Sequence, residues 1–357
     1  MIKKVSILSS AGTVSRARLH RLANVLIKSG IEVHIWAPGE VSDAPLGSIF
    51  HRTINGRSKL IRVLRDIYIP FMAKGDAILT ISPDLVPISF YIAKSKRIKL
   101  IADINEDYLK LLRDRSWAKG FIGIIAKLIA FLANRIAANA DLLIVADSQV
   151  PPFKAKNRIV IKNLPDPSMI PDSGELDNKP RAIYIGDIRK TRGLYSMLRI
   201  AELSPRWEFD LIGPVAPEDS HYVERWLKNS SAANRVKFHG ALAPNKSWDY
   251  AKGAWVGLTL LESTPAFIEA VPSKLYEYSF AGLAVISSPL PRCITLIEES
   301  GGGVISQSDE VAASILNSWA DNKDALLNIR RKAKIWAHET LNPQAHYQAF
   351  LDEVKKL

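Results

Sequence analysis

Short apolar runs and amphipathic stretches alternate from the first residues of the chain. "KVSILSS" is followed by "RLHRLANVLIKSG", whose apolar positions recur three and four apart and which closes at Gly30, and then by "EVHIWAP". The pattern predicts a buried strand, an amphipathic helix and a second strand, joined by a right-handed crossover. "DAILTIS", "KLIADIN" and "LLIVADS" read as further buried strands with helices between them, and "RIVIKNLP" ends the block. Strands that are apolar along their whole length are covered on both faces, which predicts a parallel sheet flanked by helices.

The alternation breaks at "LPDPSMIPDSGELDNKPR", residues 164–181, which is rich in Pro, Asp, Ser and Gly and has no apolar period. It reads as an interdomain linker. Beyond it the alternation restarts with "AIYIGDI", the helix "GLYSMLRIAEL", "EFDLIGP", the helix "HYVERWLKN", "VKFHGAL", the helix "WDYAKGA", "VGLTLL", the helix "SKLYEYSFAG", "AVISSP" and "GGGVIS". The expected class is α/β: two tandem Rossmann-like, doubly wound domains over 1–165 and 166–335, with a C-terminal helix at about 336–357 returning to the first. Open sheets of this kind bind ligands beyond the carboxyl ends of their strands, so the cleft between the domains is the expected working site.

Composition narrows the partners. The chain has 357 residues, enough for two cores, and a single cysteine, Cys293, which leaves no internal disulfide or multi-cysteine metal site. A reducing, cytoplasmic setting is the expectation. "MIKKVSILSS" reads as a strand, its apolar stretch being too short for a signal-peptide core. "GFIGIIAKLIAFLA" is interrupted by Lys127 and falls short of the ~20 residues that cross a bilayer, so no membrane span is expected.

The net charge of +12 is unevenly held: residues 1–165 carry 26 Lys+Arg against 12 Asp+Glu, whereas residues 166–357 carry 22 against 24. A basic first half implies an anionic partner. No zinc knuckle, basic zipper or aromatic RNA-binding signature accompanies the charge, which ranks nucleic acid below acidic lipid and phosphorylated substrates.

Chemistry concentrates in "FIEAVPSKLYEYSFAGLAVISS", residues 267–288. Pro272 suits the first turn of a helix, where its missing N–H costs nothing. Lys274 and Glu277 then share a face near the end that gathers free amides and positive dipole, a place suited to a phosphate. A glutamate one turn in is able to accept from a ribose diol, and Glu269, on the loop, would face the other end of the same ligand.

The stretch resembles the retaining GT-B glycosyltransferases of family 4, the "glycosyl transferases group 1" set, whose hallmark is Glu, seven residues, Glu; here Glu269, "AVPSKLY", Glu277. "YSFAGLAVISS" continues the likeness, with Ala284 in place of the usual proline. "IYIGDIRKTRGLYSMLRIAEL" is similar to the family's "GRLxxxKG": the interval from Gly186 to the basic Arg192 is kept and Gly193 follows. Asp187 stands where the family often has a phosphate-binding arginine, and Arg189, Lys190 or Lys274 could replace it. Lys274 is preferred because it shares the helix end with the phosphate. Looser matches run through the first half, where Asp103, Asn105 and Glu106 resemble "D-x-H-E" and Asn163 lies in an equivalent turn.

The resemblance implies a nucleotide-sugar donor (UDP- or GDP-linked) on the second domain and a saccharide or lipid-linked acceptor on the first, with transfer at retained anomeric configuration. Glu269, Arg192 and Lys274 would be catalytic. Glu277, Arg189, Gly186, Gly213, Gly240, Leu242 and Ser273 would hold the donor, while Gly12, Arg16, Asp103 and Glu106 would face the acceptor. A front-face displacement needs orientation and cationic stabilisation of the departing phosphate, which Arg192 and Lys274 would supply. The chain lacks Asp-x-Asp, so neither a metal nor another cofactor is expected.

Simpler readings stand beside these. Two glutamates at this spacing also fit a solvated helix entry, Arg192 a partner of Asp187, and Asp103 and Glu106 caps of the helix after "IADIN". His20 and His239 lack ligand partners at suitable spacing and read as packing or hydrogen-bonding residues.

Two stretches of the basic half have membrane character. Residues 57–74 put Leu60, Ile61, Leu64, Ile67 and Tyr68 on one helical face and Lys59, Arg62 and Arg65 elsewhere; residues 117–139 are more apolar, with Lys119, Lys127 and Arg135 spaced by eight. Both also suit sheet-covering helices. The combined expectation is a retaining, metal-independent transferase of surface-glycan synthesis, peripheral on the inner face of the cytoplasmic membrane. A nucleotide-sugar epimerase and a non-catalytic sugar-nucleotide-binding protein are the alternatives.

Overall fold

The computed structural model describes residues 2–10, 14–54, 59–113, 118–242 and 244–357. Two compact units divide the chain, Met1–Asn163 with Pro343–Leu357, and Leu164–Asn342.

The first unit contains strands β1 (Lys4–Leu8), β2 (Glu32–Ala37), β3 (Ile49–Arg52), β4 (Ala77–Thr80), β5 (Lys99–Ile104), β6 (Leu142–Val145) and β7 (Arg158–Val160). They form one parallel sheet in the order β3-β2-β1-β4-β5-β6-β7. Helices α1 (Ala17–Lys28), α2 (Lys59–Met72), α3 (Val86–Lys96), α4 (Tyr108–Leu111) and α5 (Gly120–Ala137) link the strands. The two-residue period of the strands divides their side chains cleanly. Val5, Leu79, Ile101 and Ile144 enter one core with Leu22 and Leu26 of α1 and Phe350 and Val354 of the chain's last helix. Ile78, Leu100, Ala102 and Leu143 enter the other, with Ile69, Ile92 and Ala133 from α2, α3 and α5.

The second unit repeats the plan. Strands β8 (Arg181–Ile185), β9 (Glu208–Ile212), β10 (Val236–Gly240), β11 (Val256–Thr259), β12 (Ala284–Ser287) and β13 (Gly303–Ile305) run parallel in the order β10-β9-β8-β11-β12-β13. Helices α6 (Leu194–Leu203), α7 (Ser220–Asn229), α8 (Pro244–Asp249), α9 (Ser273–Phe280), α10 (Pro291–Ser300), α11 (Asp309–Asp321) and α12 (Lys323–Glu339) surround it, and α13 (Pro343–Lys356) belongs to the first unit. The strand order reverses between β8 and β11, so their carboxyl ends form the crevice in which doubly wound sheets take ligands.

Two sequence expectations change. Strand β3 was absent from the pattern because it has four partly exposed residues at a sheet edge. The Pro-rich stretch 164–181 is not a bare linker: Leu164 and Ile170 are core residues of the second unit. Ser173 is pinned there, its amide donating to the Ala281 carbonyl at 2.8 Å, and the buried Arg330 donates to the Ser173 hydroxyl at 2.6 Å. Backbone contacts of this kind leave no signature in local composition.

Candidate active site at the carboxyl ends of β8 and β11

Helix α9 begins at Ser273, with Pro272 one step outside as the N-cap at φ −65° and ψ 120°, rather than in the first turn. From Leu275 to Phe280 every residue is buried, which is unusual for so polar a sequence. Glu277 is buried too, and its carboxylate accepts a short hydrogen bond from the Lys274 ammonium. A partly buried charge pair needs this mutual satisfaction, because either ion alone would lose its hydration without return. The Lys274 Nζ also stands 5.5 Å from the centre of the Trp248 ring.

The second motif leaves β8 through Gly186 and turns through Lys190–Arg192 into α6. Gly193 completes the turn at φ +87°, and a Cβ there would lie 2.2 Å from the Leu260 carbonyl oxygen just past β11. Only glycine permits both the left-handed backbone and that approach. The Glu262 amide donates to the Thr191 carbonyl at 3.0 Å, and the Arg192 guanidinium lies 5.9 Å from the Phe267 ring. The loop after β8 and the loop before α9 are therefore one packed structure at the switch point.

Arg192 is also a hydrogen-bonding neighbour of Tyr184, whose phenol is raised above its ordinary range by burial, with Arg192 working against the shift. Arg189 is tied to Asp187 by an ion pair at 2.9 Å, so the acid that departs from the family pattern is neutralised by the arginine two residues on. Gly186, Gly213 and Gly240 lie at the ends of the adjacent strands β8, β9 and β10. The Gly186 amide donates to the Ile212 carbonyl and the Gly213 amide to the Gly240 carbonyl, each at 2.8 Å. A Cβ on Gly213 would sit 1.9 Å from the Gly186 oxygen, so these ends form a flat backbone shelf. Leu242 follows that shelf and packs, partly buried, on the core beneath α9, while Ser273 opens α9. Glu269 is exposed on the turn before α9.

The geometry adds side chains that the motifs did not name. Asp219 is buried, accepting from the Lys190 amide at 2.9 Å and the Tyr195 hydroxyl at 3.1 Å. Burial raises the Glu262 carboxyl above its ordinary range, with Lys190 opposing the shift and Asp219 adding to it. Glu262 follows directly on a strand that the pattern did predict, and position beyond a strand's carboxyl end was the signal available for it.

In the first unit the expected acceptor residues separate. Asp103 is fully buried, and both its oxygens are taken by Arg18 at 2.7 and 2.6 Å, which gives it a structural anchor's surroundings. Asp107, not Asp103 or Glu106, caps α4 by accepting from the Lys110 amide at 3.1 Å. Arg16 stands at the N-cap of α1 and Glu106 is exposed; both act on the partly buried Tyr108, whose phenol burial and then Glu106 push up and Arg16 pulls down. Gly12 lies outside the described residues. His239 pairs with Asp210 at 2.6 Å and His20 with the Asp43 carbonyl at 3.0 Å. Among the described residues no group of three or more His, Cys, Asp or Glu side chains is placed to hold a metal ion.

Two tandem doubly wound parallel units, with a cation-bearing turn after the first strand of the second unit, define a protein of the GT-B class. The solved structure of Anabaena Alr3699/HepE in complex with UDP and glucose superposes with a TM-score of 0.74 over 100% of both chains, at 16% identity. Sucrose-phosphate synthase from Thermosynechococcus elongatus gives 0.73 over 99% of this chain and 98% of its own, at 15% identity. WaaG, a glycosyltransferase involved in lipopolysaccharide biosynthesis, gives 0.68 over 98% of each, at 13% identity. No curated protein matches the sequence at a significant level. Residues 166–336 match the family model described as "Glycosyl transferases group 1". That match spans nearly the whole second unit, and the solved structures share the two-unit GT-B fold over the full chain.

Proposed function

We propose that this chain is a glycosyltransferase that moves a sugar, with retained anomeric configuration, from a uridine- or guanosine-diphosphate donor to a saccharide or lipid-linked saccharide in surface-glycan synthesis. The observation that carries the reading is the packing of the Arg192 turn against the loop that delivers Lys274 and Glu277, at the reversal of strand order. That crevice offers a diphosphate two cations and the first amides of α9, and offers a nucleoside the backbone shelf at Gly213 and Gly240.

In this reading Glu277 accepts from the ribose hydroxyls and orients Lys274, and Glu269 faces the transferred sugar. Arg192 and Lys274 stabilise the charge that grows on the departing diphosphate, while Arg189 is held by Asp187 at the edge of the same site. Ser273 contributes at the helix end. The kinship with proteins whose structures hold UDP and glucose, or that act in lipopolysaccharide biosynthesis, favours a sugar nucleotide and a glycan acceptor.

Ligand-observed NMR against a panel of nucleotide sugars, followed by incubation of the preferred donor with membrane lipid extracts, tests the proposal. Transfer with retained configuration supports it. Conversion of the donor to an epimer without transfer, or inversion at the anomeric carbon, overturns it.

A further inference from the structure

Helix α5 is built inside out. Its inward stripe is made of Gly123, Ala130, Ala133, Asn134 and Ala137, all buried and none of them large and apolar. Its large apolar side chains point away from the protein: Phe121 is 76% exposed, Ile124 65%, Leu128 54% and Phe131 50%. Placed on a helical wheel, the outward apolar residues cover about half the circumference. A sheet-covering helix in water has the opposite arrangement, large apolar residues inward and polar residues outward.

The same layer continues the apolar surface. Leu64, Ile67, Tyr68 and Phe71 of α2 and Tyr91 of α3 are all exposed, and α2, α3 and α5 cover one face of the first sheet. A contiguous apolar surface of this extent exceeds what a soluble monomer leaves bare. Around it stand the exposed cations Lys94, Lys96, Lys119, Lys127 and Arg135, and neither α3 nor the stretch 119–137 contains an acidic residue. Arg65, expected on the polar side of α2, instead turns inward to Asp66 at 2.8 Å and to the Ser10 carbonyl at 2.6 Å, while the side chains of Lys59 and Arg62 lie outside the described residues.

We infer that this layer docks on an anionic lipid bilayer, with α5 lying in the plane of the membrane surface and its large apolar side chains among the acyl chains. By length and composition α5 could cross a bilayer. Its small-residue stripe, however, is buried from Gly123 to Ala137, with Ala133 and Ala137 in the core under α3, which holds the axis against the domain and leaves one side for lipid. Charge selects the occupant. A second copy of the chain would set cations against cations, whereas an acidic leaflet neutralises them, each basic residue strengthening attachment about fivefold. The inference goes beyond the transfer reaction and does not rest on it.

Flotation of the full chain with equimolar phosphatidylglycerol and phosphatidylcholine vesicles, beside phosphatidylcholine alone, is the test. Binding should favour the anionic vesicles and fall at least ~10-fold in the triple variant Phe121→Ser, Leu128→Ser, Phe131→Ser. Exposed positions leave the fold unburdened, so the variant should keep the parent's melting temperature and nucleotide binding. The Lys127→Gln, Arg135→Gln variant should weaken binding to the anionic vesicles about 25-fold and so narrow the preference for them, with Lys94, Lys96 and Lys119 still in place. Absence of vesicle binding overturns the inference. So does a dimer in sedimentation velocity that the triple variant dissolves.

Discussion

The amide of Ile185, the last residue of β8, donates to the hydroxyl of Tyr278 on α9 at 3.1 Å. Both groups are buried, and the Tyr278 ring lies so close to Gly257 of β11 that a Cβ there would be 2.4 Å from it. One hydrogen bond thus joins the strand that launches the Arg192 turn to the helix that carries Lys274 and Glu277. Tyr278→Phe leaves the Ile185 amide without a partner, which should cost about 1–3 kcal/mol. Urea unfolding should show a lower midpoint with an unchanged slope.

Gly193 joins the same loops from the other side. Gly193→Ala must adopt φ +87° and displace the Leu260 carbonyl, 2.2 Å from the new methyl group. The backbone conformation alone costs about 1–2 kcal/mol, and the displacement adds to it. Calorimetry should register a lower melting temperature together with weaker nucleotide binding; a variant that melts like the parent would show that the turn relaxes freely.

Arg192 and Glu277 should fail differently. Arg192→Ala removes charge that matters most as the diphosphate departs, so kcat should fall about 100- to 1000-fold with little change in donor affinity. Glu277→Ala removes acceptors for the nucleoside and leaves Lys274 without its carboxylate, so donor affinity should weaken about 10- to 100-fold. Steady-state kinetics beside direct titration of the nucleotide separates the two; unchanged values for both variants would move the site elsewhere.

A pH signature belongs to the first unit. The Asp66 carboxyl is raised from 3.8 to about 6, mainly by burial and then by Asp84, with Arg65 opposing. An acid with a raised folded pKa holds its proton more tightly in the native state, so its contribution to stability is greatest at low pH. That contribution falls as pH climbs from the ordinary value to about 6. Asp66→Asn removes the ionisation, and the variant should gain on the parent in denaturant unfolding as pH rises across that window. A constant difference between them would contradict the assignment.

Much of this protein was readable before folding. Strands such as "LLIVADS" and helices such as α1 carry their burial in local periodicity, and the run from Pro272 to Tyr278 carries its family likeness in spacing. Strand β3 was not readable, because four residues at an edge bury too little to impose a period. Neither was Asp103, whose position between Ala102 and Ile104 says nothing of Arg18, 85 residues away.

What the sequence by itself determined is therefore the succession of strands and helices, the two-part plan and the chemical types gathered at the ends of β8 and β11, since these depend on near neighbours in the chain. Tertiary structure alone decided which groups satisfy one another: Asp187 with Arg189, Asp103 with Arg18, Tyr278 with Ile185. It alone decided also that the large side of α5 faces outward. A helix apolar on most of its circumference has no preferred side until packing selects one, and here burial against the domain selected the small side chains.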